Sequence, residues 1–326
     1  MQVNRETDVP GRRDGPTVAD LGEFGVIAGL ISGRRYGPGV ELGPGDDAAV
    51  LRAPDGRVVV TTDMLVEGRH FRLDWSAPHE IGRKAIAQNA ADIEAMGATP
   101  TGYVAAVGVP ADTPAALLTE LADGMWEEAD RTGAPLLGGD LVGSSHWVVS
   151  VTALGDLGGR APVTRAGASA GSVVAVCGDL GRSAAGYALL RGGVAGFEDL
   201  RCRHLAPEPP YGQGAAAAAS GAESMSDVSD GLLADLGHIA EASNVGFDLS
   251  TPALSADHGH LVGAAAVLGV DPWAWVLTGG EDHALVATFR SRIPAGWRAI
   301  GTVVSGPPRV TVDGRAWDGY QGWRSF

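Results

Sequence analysis

Apolar and polar positions change period along the chain, and each change marks an element. Residues 78–97 place Ile81, Ala85, Ile86, Ile93 and Met96 near i, i+4 spacing, which predicts a helix closed by Gly97. Residues 114–131 repeat the pattern with Leu117, Leu118, Leu121 and Met125 inward. Two β-branched and apolar runs, 47–53 and 57–64, flank Pro54-Asp55-Gly56 and predict a hairpin. Residues 102–110 and 146–155 read as further strands. The stretch 155–172 is rich in Gly, Ala, Ser and Arg and reads as a linker. Beyond it, 172–178, 283–289 and 309–314 read as strands. Residues 182–192 and 229–243 read as helices, the second with Leu232, Leu233, Leu236, Ile239 and Ala240 inward. Strands and helices mix in both halves, so the expected fold class is α/β (α+β) with two domains. The expected division is a disordered tail at 1–16, an N-terminal domain at 17–156 and a C-terminal domain at 157–326.

Length and composition agree with that division. A chain of 326 residues has room for two hydrophobic cores, and 45% hydrophobic residues is ordinary for a globular protein. No apolar run reaches the ~18 residues of a membrane span. The polar first sixteen residues carry no apolar signal core, which predicts a cytoplasmic protein. Charge excludes more. Lys+Arg number 24 against 39 Asp+Glu, a net charge of −15, and Lys84 is the single lysine. So acidic a chain is a poor general partner for nucleic acid or anionic membrane. Cys177 and Cys202 form no CxxC pattern, which fits a reducing compartment without disulfides.

Aspartates gather beside glycine and serine at predicted element ends. Asp46-Asp47 reads either as a solvated turn or as a divalent-cation site, because adjacent carboxylates repel. The overlapping Gly43-x-Gly45-x-x-Ala48 resembles a dinucleotide fingerprint, but a strand follows and two carboxylates would face the pyrophosphate. Thr61-Thr62-Asp63 offers consecutive oxygen ligands or an ordinary strand end. Asp92 lies near the apolar stripe of its helix, three residues after Asn89, and needs a metal or a partner such as Lys84 or Arg83. Gly139-Asp140 reads as a turn or as a place of close backbone approach. Asp227 and Asp230 fit a helix N-cap and its capping box. His258-x-His260 reads as surface loop rather than zinc site. No P-loop, kinase HRD/DFG set or GxSxG elbow is present.

Taken in order, these blocks resemble one family, the thiamine-monophosphate kinases, within the superfamily of aminoimidazole ribonucleotide synthetase and selenophosphate synthetase. The blocks are Gly45-Asp46-Asp47-Ala48-Ala49, Thr62-Asp63 through His70-Phe71, Lys84-Ala85 through Asn89 and Asp92-Ile93 to Ala95-Met96-Gly97-Ala98, Gly138-Gly139-Asp140, Thr164-Arg165-x-Gly167, Asp227-Val228-Ser229-Asp230-Gly231-Leu232 and Gly279-Gly280-Glu281-Asp282. The resemblance implies transfer of the γ-phosphoryl group of ATP to thiamine monophosphate, with several Mg²⁺ ions. It implies N-terminal sheets paired across a homodimer and a C-terminal mixed sheet flanked by helices. By the same resemblance Asp47, Thr61, Thr62, Asp63, Asp92, Asp140, Asp227 and Asp230 are metal positions, with Asp47, Asp63 and Asp230 central to catalysis. Gly139, Asp140, Arg165 and Ser229 match nucleotide-contacting positions. His70, Glu281 and a tail aromatic (Trp317, Tyr320 or Trp323) match substrate-contacting positions. The sequence departs from the family at Ala91, where Ser is usual, at Leu141, where Thr is common, and at His283-Ala284, where Tyr-Glu is usual.

The chemistry is coherent on one condition. ATP and a phosphate monoester are polyanions, and an aspartate-lined site repels them unless divalent cations bridge the oxygens. The acceptor phosphate is already ionised near neutral pH, so no general base is needed and direct in-line transfer is expected. Other superfamily enzymes fit less well, since no cysteine precedes Cys177 and the chain ends Trp323-Arg324-Ser325-Phe326. A non-catalytic nucleotide sensor is the reading from another class.

Overall fold

A computed structural model describes residues 15–43 and 48–319. Most of the predicted tail, 1–14, lies outside the described residues, and Pro16 is tied down, its carbonyl accepting the Ala115 N–H at 3.0 Å. The N-terminal domain runs α1 (Val18–Ile31), β1 (Val40–Leu42), β2 (Val50–Leu51), β3 (Val59–Val66), α2 (Pro78–Ala95), β4 (Thr99–Val109), α3 (Ala115–Thr132), β5 (Leu136–Gly143) and β6 (Val148–Asp156). The C-terminal domain runs β7 (Val173–Cys177), α4 (Arg182–Arg191), α5 (Glu198–Leu205), α6 (Gln213–Ala219), β8 (Ala222–Val228), α7 (Leu232–Ser243), β9 (Gly246–Leu249), α8 (Ser255–Leu268), α9 (Pro272–Thr278), β10 (Ala284–Phe289), β11 (Arg298–Val304) and β12 (Arg309–Val312). β6 runs through Asp156, into the stretch 155–172 expected as a linker, and no strand or helix occupies 157–172.

The first domain has a four-stranded sheet in the order β3-β6-β4-β5, with only β4 and β5 parallel. The second has six strands in the order β12-β9-β11-β7-β10-β8, with only β12 and β9 parallel. The expected hairpin does not form. The Pro54-Asp55-Gly56 turn is present, with Gly56 N–H donating to Ala53 O at 3.0 Å, but its arms part. β2 pairs with β1, whereas β3 gains eight register partners along β6, a far longer ladder. Residues 136–143, expected to be an apolar stretch and a turn, form β5, because pairing with β4 outweighs the low strand preference of Gly138 and Gly139.

Helix α2 positions the site. It follows its predicted pattern, ending at Ala95 with Gly97 left-handed at φ 72°. It lies between the two domains, touching β3, β4 and β6 on one side and β8, β10, α5 and α6 on the other. Its polar residues Lys84, Gln88, Asn89 and Glu94 are therefore buried along with the apolar stripe. Ala95 shares a hydrophobic core with Met225, Leu285, Phe289 and Trp297 of the second domain. The Glu94 carboxylate accepts the N–H groups of Gly212 and Gly214, both at 2.7 Å.

The start of α7 also differs from expectation. Asp227 is no N-cap; it sits inside β8, and the helix begins after Gly231. The helix start has no side-chain cap; Asp235, within the first turn, accepts the N–H groups of Asp230 and Gly231 at 3.1 Å each. His258 and His260 lie on α8 rather than in a loop, and His258 stacks on Trp273 with ring centres 4.4 Å apart.

Candidate active site

Alternation along β3 turns Thr61, Asp63 and Leu65 toward α2 and Val60, Thr62 and Met64 outward. On the α2 side, Thr61 Oγ1 donates to Asp92 Oδ2 at 2.7 Å, and the Asp63 N–H donates to Asn89 Oδ1 at 3.0 Å. Asn89 is itself held, its amide donating to Ala85 O at 2.9 Å. Asp227, buried at the end of β8, is 3.1 Å from Nδ1 of His283. The anticipated partners of Asp92 are engaged elsewhere, Lys84 with Glu281 and Arg83 with Glu128.

These carboxylates feel one another. Burial, then the charges of Asp227 and Asp63, push the Asp92 carboxyl up to about 7, with partial relief from the Thr61 hydroxyl. Asp63 is raised by burial and Asp227, and Asp230 is raised by the same two causes. Among the described residues, the one ion pair this group makes is Asp227 with His283. Burial disfavours the His283 cation, but its bond to Asp227 wins and holds its pKa above the usual value. Carboxylates within electrostatic reach of one another, short of cations and partly desolvated, suit a hard divalent ion. Next to them Asp230, Asp235 and His238 each offer a ligand atom, all within 4.8 Å of one another. Sequence reasoning passed over Asp235, although its i+5 spacing from Asp230 across a helix start was visible.

A second cluster adjoins the first. Lys84 Nζ lies 2.8 Å from Glu281 Oε1, 3.1 Å from His70 O and 3.3 Å from His204 O. Burial raises the Glu281 carboxyl, yet Lys84 and His204 outweigh it and hold it down to about 2. His70 Nδ1 accepts the Val66 N–H at 3.0 Å, so its neutral ring carries the proton on Nε2. The loop bearing Glu281 is strained, with Glu281 at φ 63° and His283 at φ 53°. It is also pressed close: a methyl on Gly280 would crowd Ser229 O, the atom that accepts the Glu281 N–H at 2.8 Å. Ser229 is thus half-buried beside Glu281, and exposed Arg165 is near enough to stabilise the Asp230 carboxylate.

Other expected residues stand apart. Met64, Ser150, Ala106 and Asp140 are register partners on the outer sheet face, so Asp140 and Thr62 lie across the sheet from Thr61 and Asp63. Gly139 and Asp140 line a largely apolar cavity of about 960 Å³ with Leu118, Met125 and Trp126. Gly139 is required sterically, since a methyl there would overlap Ala105 O. Trp317 does not join the site. It follows β12, on the opposite edge of the six-stranded sheet from β8, and packs against the second domain's core. That is roughly 24 Å across at the usual strand spacing. Asp47, Tyr320 and Trp323 lie outside the described residues.

Residues 45–157 match the family described as AIR synthase related protein, N-terminal domain, which sets the class of the first domain. The thiamine-monophosphate kinase of Mycobacterium tuberculosis is 66% identical over 313 residues, covering 96% of this chain and 94% of its own. The crystal structure of thiamine-monophosphate kinase from Stenotrophomonas maltophilia K279a superposes with a TM-score of 0.78 at 32% identity, covering 89% of this chain and 95% of its own. AaThiL complexed with AMPPCP and TMP gives a TM-score of 0.75 at 29% identity, covering 96% of this chain and 100% of its own. The chain belongs to the thiamine-monophosphate kinase family.

Proposed function

We propose that this chain phosphorylates thiamine monophosphate to thiamine diphosphate at the expense of ATP, by direct in-line transfer. The observation that carries the reading is the mutual electrostatic influence of Asp63, Asp92 and Asp227, from three elements, beside the Lys84–Glu281–His70 cluster. Family membership and a relative holding AMPPCP and TMP together support it. Several Mg²⁺ ions, held by Asp63, Asp92, Asp227 and Asp230, would supply the charge neutralisation that lets two polyanions approach. The remaining work belongs to the chain. Thr61 and Asn89 fix Asp92 and the Asp63 backbone. His70 offers an Nε2–H donor, and ionised Glu281 offers an acceptor to the cationic substrate. Arg165 and Ser229 stand beside Asp230 for the nucleotide phosphates, and the cavity at Gly139 has room for a base. No general base is required, because the attacking phosphate oxygen is already ionised.

We take the domain boundary at 156/157, with 17–156 as the ATP/metal-binding domain. A homodimer fits the outer face of the first sheet, where Val60 is 63%, Met64 52% and Val142 53% exposed. A second copy on this face would also cover Thr62 and Asp140. No described helix is long and apolar enough to cross a membrane, and two free cysteines agree with a cytoplasmic enzyme. The test is incubation with ATP, Mg²⁺ and thiamine monophosphate. Equal yields of thiamine diphosphate and ADP, abolished by EDTA, are expected. ADP formation without thiamine diphosphate would assign a different acceptor.

A further inference from the structure

Lys84 is the single lysine among 24 cationic side chains, and it is 1% exposed. Everywhere else the chain uses arginine. The slot suits an ammonium. An ammonium has three N–H donors, and three acceptors converge on it from separate segments. His70 O comes from the turn after β3, His204 O from the end of α5, and Glu281 Oε1 from the loop before β10. A planar guanidinium with five donors in a fork does not match three acceptors gathered around one point.

Two of those three segments carry the residues read above as substrate-contacting. One ammonium therefore sets the backbone of His70, on the first domain, relative to the carboxylate of Glu281, on the second. His70 has little other freedom, because Nδ1 is occupied by the Val66 N–H. Glu281 sits at a left-handed φ of 63°, a conformation that persists only where its surroundings enforce it. Ser229 O holds its backbone and Lys84 holds its side chain. His204 Nδ1 stands 3.5 Å from the other carboxylate oxygen and is braced by Ser183 Oγ at 3.2 Å. The Glu281 side chain still keeps 37% of its surface open, so it is fixed in place without being hidden.

We propose that Lys84 is a positioning residue for thiamine monophosphate: it touches no reacting atom, and it fixes the spacing between the His70 donor and the Glu281 acceptor that grip the substrate. The inference rests on the kinase reading of the site. Its consequence is selective. Loss of Lys84 should weaken thiamine monophosphate and leave ATP nearly untouched, because the three acceptors of its ammonium include none of the nucleotide-side residues Gly139, Asp140, Arg165 and Ser229.

The test is isothermal titration of thiamine monophosphate, with steady-state kinetics, on wild type, Lys84→Met, Lys84→Arg, Glu281→Gln and the double variant Lys84→Met/Glu281→Gln. Melting temperatures are measured in parallel. Lys84→Met should raise Kd and KM for thiamine monophosphate on the order of tenfold, with KM for ATP within about twofold. Lys84→Arg should not restore them, since charge without geometry is insufficient. The double variant should be no weaker than the worse single variant, because both remove one linkage. A lower melting temperature with unchanged Kd would reduce Lys84 to a structural role and overturn the inference. Multiplying losses in the double variant would show that Lys84 does not act through Glu281, with the same result. Wild type that fails to bind thiamine monophosphate would overturn the kinase reading itself, and this inference with it.

Discussion

Asp282 Oδ1 accepts the Ser183 N–H at 2.8 Å, one residue along from the carboxylate that meets Lys84. Its other oxygen accepts the Gly181 N–H at 2.5 Å, so the side chain closes the start of α4. Two adjacent carboxylates therefore end in opposite states. Glu281 is held down to about 2, whereas burial pushes Asp282 up to about 7 despite its two N–H donors. Glu281 stays partly open beside Lys84, on the side proposed to meet the substrate, and Asp282 is a strut.

Substitutions at Asp63 and Asp282 should separate on different axes. Asp63→Asn removes a charge from the proposed metal group and should lower kcat/KM on the order of 100-fold or more, with melting nearly unchanged. Asp282→Asn keeps the shape but weakens a buried helix start. It should cost about 1–2 kcal/mol of stability and leave activity within a few-fold. Kinetics and calorimetry on both variants check this. Equal small losses of activity in both would contradict the assignment.

The same residue gives a pH prediction with a definite sign. Asp282 is raised from 3.8 to about 7 on folding, so between those values the folded chain binds more protons than the unfolded one. Its contribution is present below about 4 and is lost as pH climbs through about 7. Wild type should lose its advantage over Asp282→Asn as pH rises from about 5 to about 8. Thermal melts of the two proteins across that range test it, and a gap that widens with pH would be the wrong sign.

The α2–α3 crossing is set by two glycines. A methyl on Gly82 would overlap Leu121 O, and one on Gly124 would overlap His79 O. Gly82→Ala should destabilise by about 1–3 kcal/mol or more, because backbone rather than a flexible side chain must give way. Gly237 lies inside α7, and a methyl on it would meet nothing within 4 Å. Gly237→Ala should be neutral or raise stability by roughly 0.5–1 kcal/mol. Chemical denaturation of both variants decides the matter.

Met64 and Val60 point away from α2, on the face proposed to meet a second copy. Met64→Glu or Val60→Glu places like charges on both sides of a two-fold interface. Either should shift the protein from dimer to monomer in light scattering after gel filtration. An unchanged mass would remove this face from the interface.

Much of the site was legible before the structure. The stripe of Ile81, Ala85, Ile86 and Ile93 fixes α2, and α2 carries Lys84, Asn89 and Asp92 to their partners. What was illegible depends on long-range pairing. Gly138 and Gly139 read as a turn because their strand exists only through β4. Asp227 and Asp230 satisfied a capping pattern locally, but Asp227 is committed to β8 by pairing with β10. Strand order, which a single sequence does not encode locally, puts Trp317 on the far edge. The role of Lys84 had a visible signal in the near-absence of lysine, yet its three acceptors come from His70, His204 and Glu281, segments far apart along the chain.

Single-turnover rapid quench with γ-³²P-ATP, thiamine monophosphate and Mg²⁺ tests the central claim most directly. The account predicts that label passes from ATP to thiamine diphosphate at one rate, with no labelled protein at any time and no transfer in EDTA. Label trapped on the chain, or ATP consumed without labelled thiamine diphosphate, would contradict it.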